Sequence, residues 1–407
     1  MALRPVELKL NVPRVYHNLY CLLVLGLIVF GQNFSKFQVV GPLYLHDLLL
    51  VLCVLPIALH PPRKLPFIPV LIVVLTSVIY LIFSLVISSA SLELTIRQYA
   101  LFAYLFCYYL MFIQSNPLGE EDKFVPFLIK LGVACVLIQV VFIAYRVYRG
   151  LSVIEDYNYF SPATVLGLII GAAYVLVYVR HFVVRYATFL FVLLLSTTTG
   201  HSSAFLAVFV AGVFYFFFRT SNRSRIFILA AILLSVFLLY VLLPQFQDYN
   251  AGFRLIAWQY TLRNAIVENY GLIGEGFGVP YFDETLVYKL FNEVGSEVFF
   301  GATRAYEPYL SSVHNSFLTI IFAIGLLPGL LIFYPFVKMG KYLIHRKENA
   351  SKQADFLFLS LIGLSVWVSF NQILEVPHST ALFWMVYFSC LVVRVEFVDE
   401  KYSKINL

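Results

Sequence analysis

Charged residues are scarce in this chain of 407 residues, of which only 12% are Asp, Glu, Lys or Arg. Soluble globular proteins carry about 25%, whereas 61% of this sequence is hydrophobic and 17% is aromatic. The five cysteines all lie inside apolar runs, far from one another, which predicts small buried side chains rather than disulfides or metal ligands. These shortages exclude a soluble nucleotide-binding enzyme, a nucleic-acid-binding module and a secreted disulfide scaffold, and they predict a membrane protein.

Long hydrophobic runs are the main feature of the sequence. A spanning helix needs about 20 predominantly apolar residues. We therefore predict an all-α polytopic membrane protein with about twelve transmembrane helices. The runs that predict these helices are 17–33, 42–59, 66–88, 97–114, 124–145, 161–179, 182–198, 202–218, 226–243, 312–337, 356–373 and 379–395. The first run follows a basic N-terminus and precedes no small-residue cleavage site, so we expect an uncleaved anchor.

The loops between these runs are short, with one exception. Residues 1–243 are predicted to form the first nine transmembrane helices, residues 244–311 a large outer loop, and residues 312–407 the last three helices and a tail. With the N-terminus in the cytoplasm, the inner segments carry 19 Lys and Arg residues and the outer segments carry eight. Because positive charge favours the cytoplasmic side, we expect both termini to be cytoplasmic and the large loop to be periplasmic.

Part of the large loop has the spacing of an amphipathic helix, which we expect to lie on the membrane interface. Arg254 and Trp258 are predicted to share a different face from its apolar stripe. The stripe consists of Phe253, Ile256, Ala257, Tyr260, Asn264 and Val267.

Polar residues gather at the predicted outer ends of the helices, where ionisable groups are costly and therefore suggest function. His46 and Asp47 are best interpreted as an interfacial pair that hydrogen-bonds to a neighbouring helix. Arg97 has two interpretations of equal weight, an ion pair with Glu93 four residues earlier or an anion-binding role. The remaining members of the group are His201, Arg254, His314, Asn315, Glu375 and His378.

An outer site that is rich in arginine and histidine, without an Asp-x-Asp pair or a His/Cys cluster, suits a phosphate-bearing ligand and needs no divalent metal. Such a membrane enzyme could take a lipid pyrophosphate from the bilayer. Arginine would stabilise the leaving group, and histidine would remove a proton from the incoming hydroxyl. The glycines of residues 274–278 lack the spacing of a dinucleotide fingerprint. They predict a sharp backbone turn or a close approach to a ligand.

Four short motifs follow one another along the large loop and the tenth run. They are Arg254-x3-Trp258, Gly274-x-Gly276-x-Gly278, His314-Asn315-x-x-Leu318 and Gly325-Leu-Leu. In this order they resemble the motifs of the O-antigen ligase/polymerase superfamily of bacterial inner-membrane glycosyltransferases. The predicted twelve-helix topology extends the resemblance over nearly the whole chain and implies a GT-C-like fold.

The resemblance implies the transfer of an undecaprenyl-diphosphate-linked oligosaccharide to a sugar hydroxyl on the periplasmic side, without a metal or another cofactor. It makes His314 the general base and Arg254 a pyrophosphate contact. Trp258, Gly276 and Asn315 are expected to be further substrate-binding residues.

The second phosphate contact is where this chain departs from the pattern. The ligases usually carry an arginine at the start of the eighth transmembrane helix, and this sequence has His201 there. Arg97 and Arg304 are therefore candidate substitutes for that arginine, with His201 as a further candidate contact.

Three functions stay open on the sequence alone. A polymerase of lipid-linked repeat units is favoured because the ligase-like arginine is missing, and a ligase that uses a lipid A core acceptor is the first alternative. A transporter or flippase is a weaker alternative, since it should show similar halves and deep charges, and Lys130 is the only obvious deep charge. The expected partners are the bilayer, the lipid-linked oligosaccharide, a glycan or lipid A core acceptor and a chain-length regulator, but no nucleic acid.

Overall fold

The computed structural model describes residues 11–40, 43–59, 62, 66–87, 92–116, 123–152, 162–219, 249–270, 272–281, 313–344 and 351–393. Its helices are α1 (Val12–Lys36), α2 (Leu45–Leu59), α3 (Ile68–Ile87), α4 (Leu92–Ser115), α5 (Val125–Tyr148), α6 (Pro162–Tyr178), α7 (Phe182–Thr197), α8 (Ser202–Arg219), α9 (Tyr249–Arg263), α10 (Ser316–Ile324), α11 (Leu326–Leu330), α12 (Tyr334–Ile344), α13 (Lys352–Phe370) and α14 (Pro377–Val392). A π-helical turn, Asn264–Glu268, extends α9, and a 3-10 turn, Leu331–Phe333, joins α11 to α12. The predicted run 226–243 lies outside the described residues.

The described helices are those of a membrane protein. α3, α4, α5, α13 and the Val12–Gly31 part of α1 are long and apolar enough to cross a bilayer, and five shorter apolar helices accompany them. Large apolar side chains point away from the bundle, as with Leu75 and Val86 of α3, which are 62% and 78% exposed. Such a surface suits contact with lipid. One small antiparallel hairpin, β1 (Gln38–Val40) with β2 (Leu43–Tyr44), departs from the all-α expectation.

The centre of the bundle is formed by α13, which contacts α6, α8 and α14. Helices α5 and α6 approach closely where Gly132 meets Gly171. A Cβ atom on Gly132 would lie 2.7 Å from the backbone nitrogen of Gly171, so this crossing requires glycine. Small residues at such crossings allow the tight packing typical of membrane helices.

The tenth predicted run, 312–337, is not one continuous helix, and the prediction of a single span there was wrong in that respect. Helix α10 ends at Gly325, whose φ of +88° is unfavourable for other residues. The last carbonyls of α10 are satisfied by the segment 272–281, because the backbone N–H groups of Glu275 and Gly276 donate to the carbonyl oxygens of Phe322 and Ala323 at 2.8 and 3.1 Å. The break therefore anchors the loop to the bundle.

Candidate functional site

The described part of the large loop packs against the start of α10. Ala257 and Val313 are fully buried in the small apolar cluster that joins the two segments. The indole Nε1 of Trp258 donates a hydrogen bond of 2.9 Å to the carbonyl oxygen of Val313. This bond ties helix α9 to the residue directly before His314.

The inward face of α9 agrees with the predicted stripe within the helix and differs from it beyond Arg263. Ala257 is buried as expected, but Thr261 and Ala265 are also buried, whereas Val267 is 61% exposed. Arg254, one turn before Trp258, is partly buried on this inward side. Ile256 and Tyr260 of the predicted stripe also pack in the cluster, so the stripe holds up to the end of α9. It does not continue to Val267 because the π-helical turn after Arg263 shifts the helical register.

Arg254, His201 and His314 form one electrostatic cluster, which we call the basic cluster. Burial lowers the pKa of each imidazole, and the nearby positive charge of Arg254 lowers it further, to about 4 in both cases. Both histidines are therefore neutral at pH 7. The three residues come from chain segments that are far apart in sequence, namely the α7–α8 turn, α9 and the start of α10.

His314 has an unusual backbone conformation. Its φ of +51° lies in the left-handed region, which is uncommon for a residue other than glycine. Such conformations cost of order 1–3 kcal/mol and cluster at functional sites. The next residue, Asn315, caps α10, since its side-chain oxygen accepts hydrogen bonds of 3.1 Å from the backbone N–H groups of Phe317 and Leu318.

His201 is held against the central helix. Its ring meets the ring of Trp367 edge-on, with 5.1 Å between the ring centroids. Two residues later, the hydroxyl oxygen of Ser203 accepts a hydrogen bond of 3.1 Å from the side-chain amide of Asn371, at the end of α13. These contacts fix the start of α8 relative to the segment that connects α13 to α14.

A second polar group beside the basic cluster joins Glu375, which the sequence analysis placed at a helix end without a specific role, to Ser316, which it did not single out. The hydroxyl of Ser316 donates to the carboxyl Oε2 of Glu375, and the same Ser316 oxygen accepts the backbone N–H groups of Ile373 and Leu374 at 3.0 and 3.1 Å. Burial raises the pKa of Glu375, although its hydrogen bonds oppose that shift. The acid at a predicted helix end was the only signal in the sequence.

The other predicted site residues are placed less centrally. Arg97 is exposed, and its guanidinium lies 3.5 Å from the hydroxyl of Tyr44. Among the described residues no ion pair joins Arg97 to Glu93, so the first of its two interpretations is not supported, and the anion-binding role stays a prediction. Arg304 lies outside the described residues.

Gly276 belongs to a segment that packs on transmembrane helices. A Cβ atom on this residue would lie 2.7 Å from the hydroxyl oxygen of Ser84. The same hydroxyl accepts a hydrogen bond of 2.8 Å from the backbone N–H of Phe277. The close backbone approach that the glycines predicted is thus made to α3, while a substrate contact of Gly276 stays a prediction.

The predicted hydrogen bonding of His46 and Asp47 to a neighbouring helix is confirmed, while their position at the membrane interface stays a prediction. Nε2 of His46 lies 2.8 Å from the hydroxyl of Tyr108, and the hydroxyl of Tyr104 donates to Asp47 at 2.7 Å. Both tyrosines belong to α4. The pair thus connects α2 to α4.

The described residues contain no group of three or more His, Cys, Asp or Glu side chains placed to hold a metal ion. No protein-family model matches the sequence, and the comparison with curated proteins finds no significant match. The resemblance carried by the motifs therefore stays a prediction.

Proposed function

We propose that this protein is a metal-independent membrane glycosyltransferase that polymerises oligosaccharide repeat units carried on undecaprenyl diphosphate. In this proposal the chain crosses the bacterial inner membrane about twelve times in a GT-C-like arrangement. Its termini are cytoplasmic and its active site faces the periplasm. The observation that carries the proposal is the basic cluster, which gathers Arg254 and two neutral imidazoles from distant segments at one end of an apolar bundle.

Arg254 suits a diphosphate group. A guanidinium presents a planar fork of donors that can bind two phosphate oxygens at once. The residue is partly buried, and a charge interaction is stronger where water is limited. When the bond between the anomeric carbon and the diphosphate oxygen breaks, the oxygen keeps the electron pair. Arg254 can neutralise the negative charge that develops on this leaving group.

Two helix N-termini add to this electrostatic environment. Helix α8 begins directly after His201, and helix α10 begins two residues after His314. The N-terminus of a helix carries partial positive charge and unpaired N–H groups, both of which favour anions. This arrangement supports a phosphate-bearing donor next to the basic cluster.

His314 is the proposed general base. Its neutral imidazole can take the proton of the acceptor hydroxyl while the hydroxyl oxygen bonds to the anomeric carbon. A pKa of about 4 makes a weak base, but a bound diphosphate would offset the charge of Arg254. The donor therefore raises the pKa of His314 when the base is needed.

His201 is the proposed second phosphate contact. It lies close enough to Arg254 for the positive charge to lower its pKa. A neutral imidazole can donate one hydrogen bond to a phosphate oxygen. It occupies the position at which the resemblance expects an arginine. The exposed Arg97 lies in a different environment, beside Tyr44.

The test is transfer by the purified full-length protein in liposomes that contain lipid-linked repeat units. We expect a ladder of lengthened glycans, and we expect His314→Ala to lower the rate by about 10²–10⁴-fold. His181→Ala is the matched control, because His181 is an exposed histidine before α7. A His314→Ala variant with at least half of the wild-type rate would refute the assignment. Transfer only to a lipid A core sugar would identify a ligase, and flipping without transfer a transporter.

A further inference from the structure

Glu375 is held in a fixed position by the start of α10. The Ser316 hydroxyl donates to its Oε2 atom, and Ser316 itself is fixed by the backbone N–H groups of Ile373 and Leu374. The serine oxygen thus uses its donor and accepts two further hydrogen bonds. This arrangement leaves little freedom for the carboxyl group.

Within the described ranges, the other carboxyl oxygen of Glu375 forms no hydrogen bond of normal geometry, although Thr319 lies close enough to lower the pKa of the carboxyl group. Oε1 is buried and has no hydrogen-bond partner among the described residues. A buried polar atom without a partner is costly, and more so when it carries charge. Tyr281, the last described residue of the loop segment, lies close enough for the charge of Glu375 to add to the burial that raises the pKa of Tyr281.

The carboxyl group lies beside the proposed catalytic residues. Its partner Ser316 is two residues after His314. Asn371, four residues before Glu375, bonds to Ser203, which is two residues after His201. The α13–α14 connection therefore contacts the helix starts next to both histidines of the basic cluster.

We infer that Glu375 binds the acceptor sugar. Its free Oε1 atom accepts a hydrogen bond from a sugar hydroxyl that neighbours the attacking one, so the proton of the attacking hydroxyl stays available to His314. This inference rests on the proposed function and adds a residue that positions the acceptor.

The hydrogen-bonding capacity of Oε1 decides which substrate Glu375 contacts. A diphosphate offers mainly acceptor oxygens, which match the donors of Arg254 rather than the acceptor Oε1. A neutral sugar offers hydroxyl donors, which match Oε1. The ligand class that fits Oε1 is therefore a polyhydroxylated acceptor.

The experiment measures equilibrium binding, which does not require transfer. The probe is a mixture of oligosaccharides released by mild acid from the surface polysaccharide of the producing cells, free of lipid and diphosphate. It is titrated by calorimetry into the full-length protein in nanodiscs, with inorganic diphosphate titrated in parallel. We expect Glu375→Gln to weaken oligosaccharide binding at least tenfold and to leave the Kd of diphosphate unchanged, since the amide oxygen of Gln can still accept the Ser316 hydroxyl.

Glu275→Gln is the matched control. Its carboxylate lies in the outer loop and already accepts a hydrogen bond of 2.7 Å from Asn269, so both Kd values should stay unchanged. Glu375→Asp keeps the carboxylate and should restore part of the oligosaccharide binding. The inference is overturned if Glu375→Gln binds oligosaccharide like wild type, if it loses both ligands together, or if wild type binds no oligosaccharide. Intact oligosaccharide binding without any glycan transfer would instead refute the proposed function.

Discussion

Trp258 donates its indole N–H to the carbonyl oxygen of Val313 at 2.9 Å, and this hydrogen bond sets the position of α9 relative to His314. Arg254 lies one helical turn before Trp258, so the same bond sets how close the guanidinium comes to the imidazole. The indole ring also packs against Phe370, with 5.2 Å between the ring centroids. Trp258 therefore acts by holding the basic cluster together.

Trp258→Phe tests this role, because phenylalanine keeps an aromatic ring and lacks the N–H donor. A lost hydrogen bond costs about 0.5–1.5 kcal/mol, so we expect a small drop in melting temperature and a several-fold slower transfer. Trp384→Phe is the control, since the Nε1 atom of Trp384 has no hydrogen-bond partner among the described residues. Equal slowing of transfer by both substitutions would show that the Trp258 bond does not matter for the site.

Gly276→Ala separates a structural role from a ligand contact. The φ of Gly276 is +79°, and a Cβ atom would meet the Ser84 hydroxyl. Left-handed strain alone costs of order 1–3 kcal/mol, so we expect a lower melting temperature and an unchanged donor KM. Gly340→Ala should leave stability unchanged or slightly raised, because a Cβ atom on Gly340 meets nothing within 4 Å. A raised donor KM at unchanged stability would instead support a substrate contact of Gly276.

The helices could be predicted from the sequence because apolar runs bounded by polar residues, Pro or Gly carry a strong local signal. The break at Gly325 could not be predicted in the same way. It depends on hydrogen bonds from Glu275 and Gly276, about fifty residues earlier in the chain. A hydrophobicity pattern contains no information about such long-range bonds.

The candidate site likewise combines residues that local sequence motifs predicted with contacts that only the folded chain reveals. His314 and Arg254 were found through motifs, but the pattern of α9 predicted an apolar stripe up to Val267, which the π-helical turn after Arg263 leaves exposed. The bond between Ser316 and Glu375 joins residues that are 59 positions apart. Nothing local to either residue indicates the other.

The pH dependence of transfer tests the coupling between Arg254 and His314. The positive charge opposes protonation of the imidazole, so Arg254→Ala should raise the pKa of His314 from about 4 towards its usual value near 6.5. The base works only when it is unprotonated, so activity is lost as pH falls through this pKa. The acid limb of kcat/KM reports the free enzyme and should move to higher pH in Arg254→Ala.

The acid limb of kcat gives a second measurement on the wild-type protein. It reports the enzyme with bound donor, in which the diphosphate offsets Arg254, so it should lie at higher pH than the limb of kcat/KM. Arg263→Ala, which removes an exposed arginine at the end of α9, should leave both limbs in place. The coupling would be contradicted if the acid limb of kcat/KM lay at the same pH in wild type and in Arg254→Ala, and if the acid limbs of kcat and kcat/KM coincided in wild type.

Arg254→Lys tests bidentate binding of the donor. Lysine keeps the positive charge and loses the planar fork, so we expect a donor KM roughly tenfold higher than wild type. Arg254→Ala, which loses the charge as well, should bind the donor more weakly still. Arg263→Lys serves as the control. Wild-type donor affinity in both Arg254 variants would leave Arg254 with a structural role only.

Transfer is expected to survive chelation of divalent ions. A lipid diphosphate leaves readily only when its developing negative charge is neutralised, and many sugar transferases use Mg²⁺ or Mn²⁺ for this purpose. In the proposed mechanism Arg254 supplies the positive charge, and its partial burial keeps its attraction strong. Initial rates of the purified protein on lipid-linked oligosaccharide should therefore be equal with and without excess EDTA. Loss of activity in EDTA, with recovery when a divalent ion is added back, would refute the arginine mechanism and direct attention to Glu275 and to Asp283 and Glu284, which lie outside the described residues.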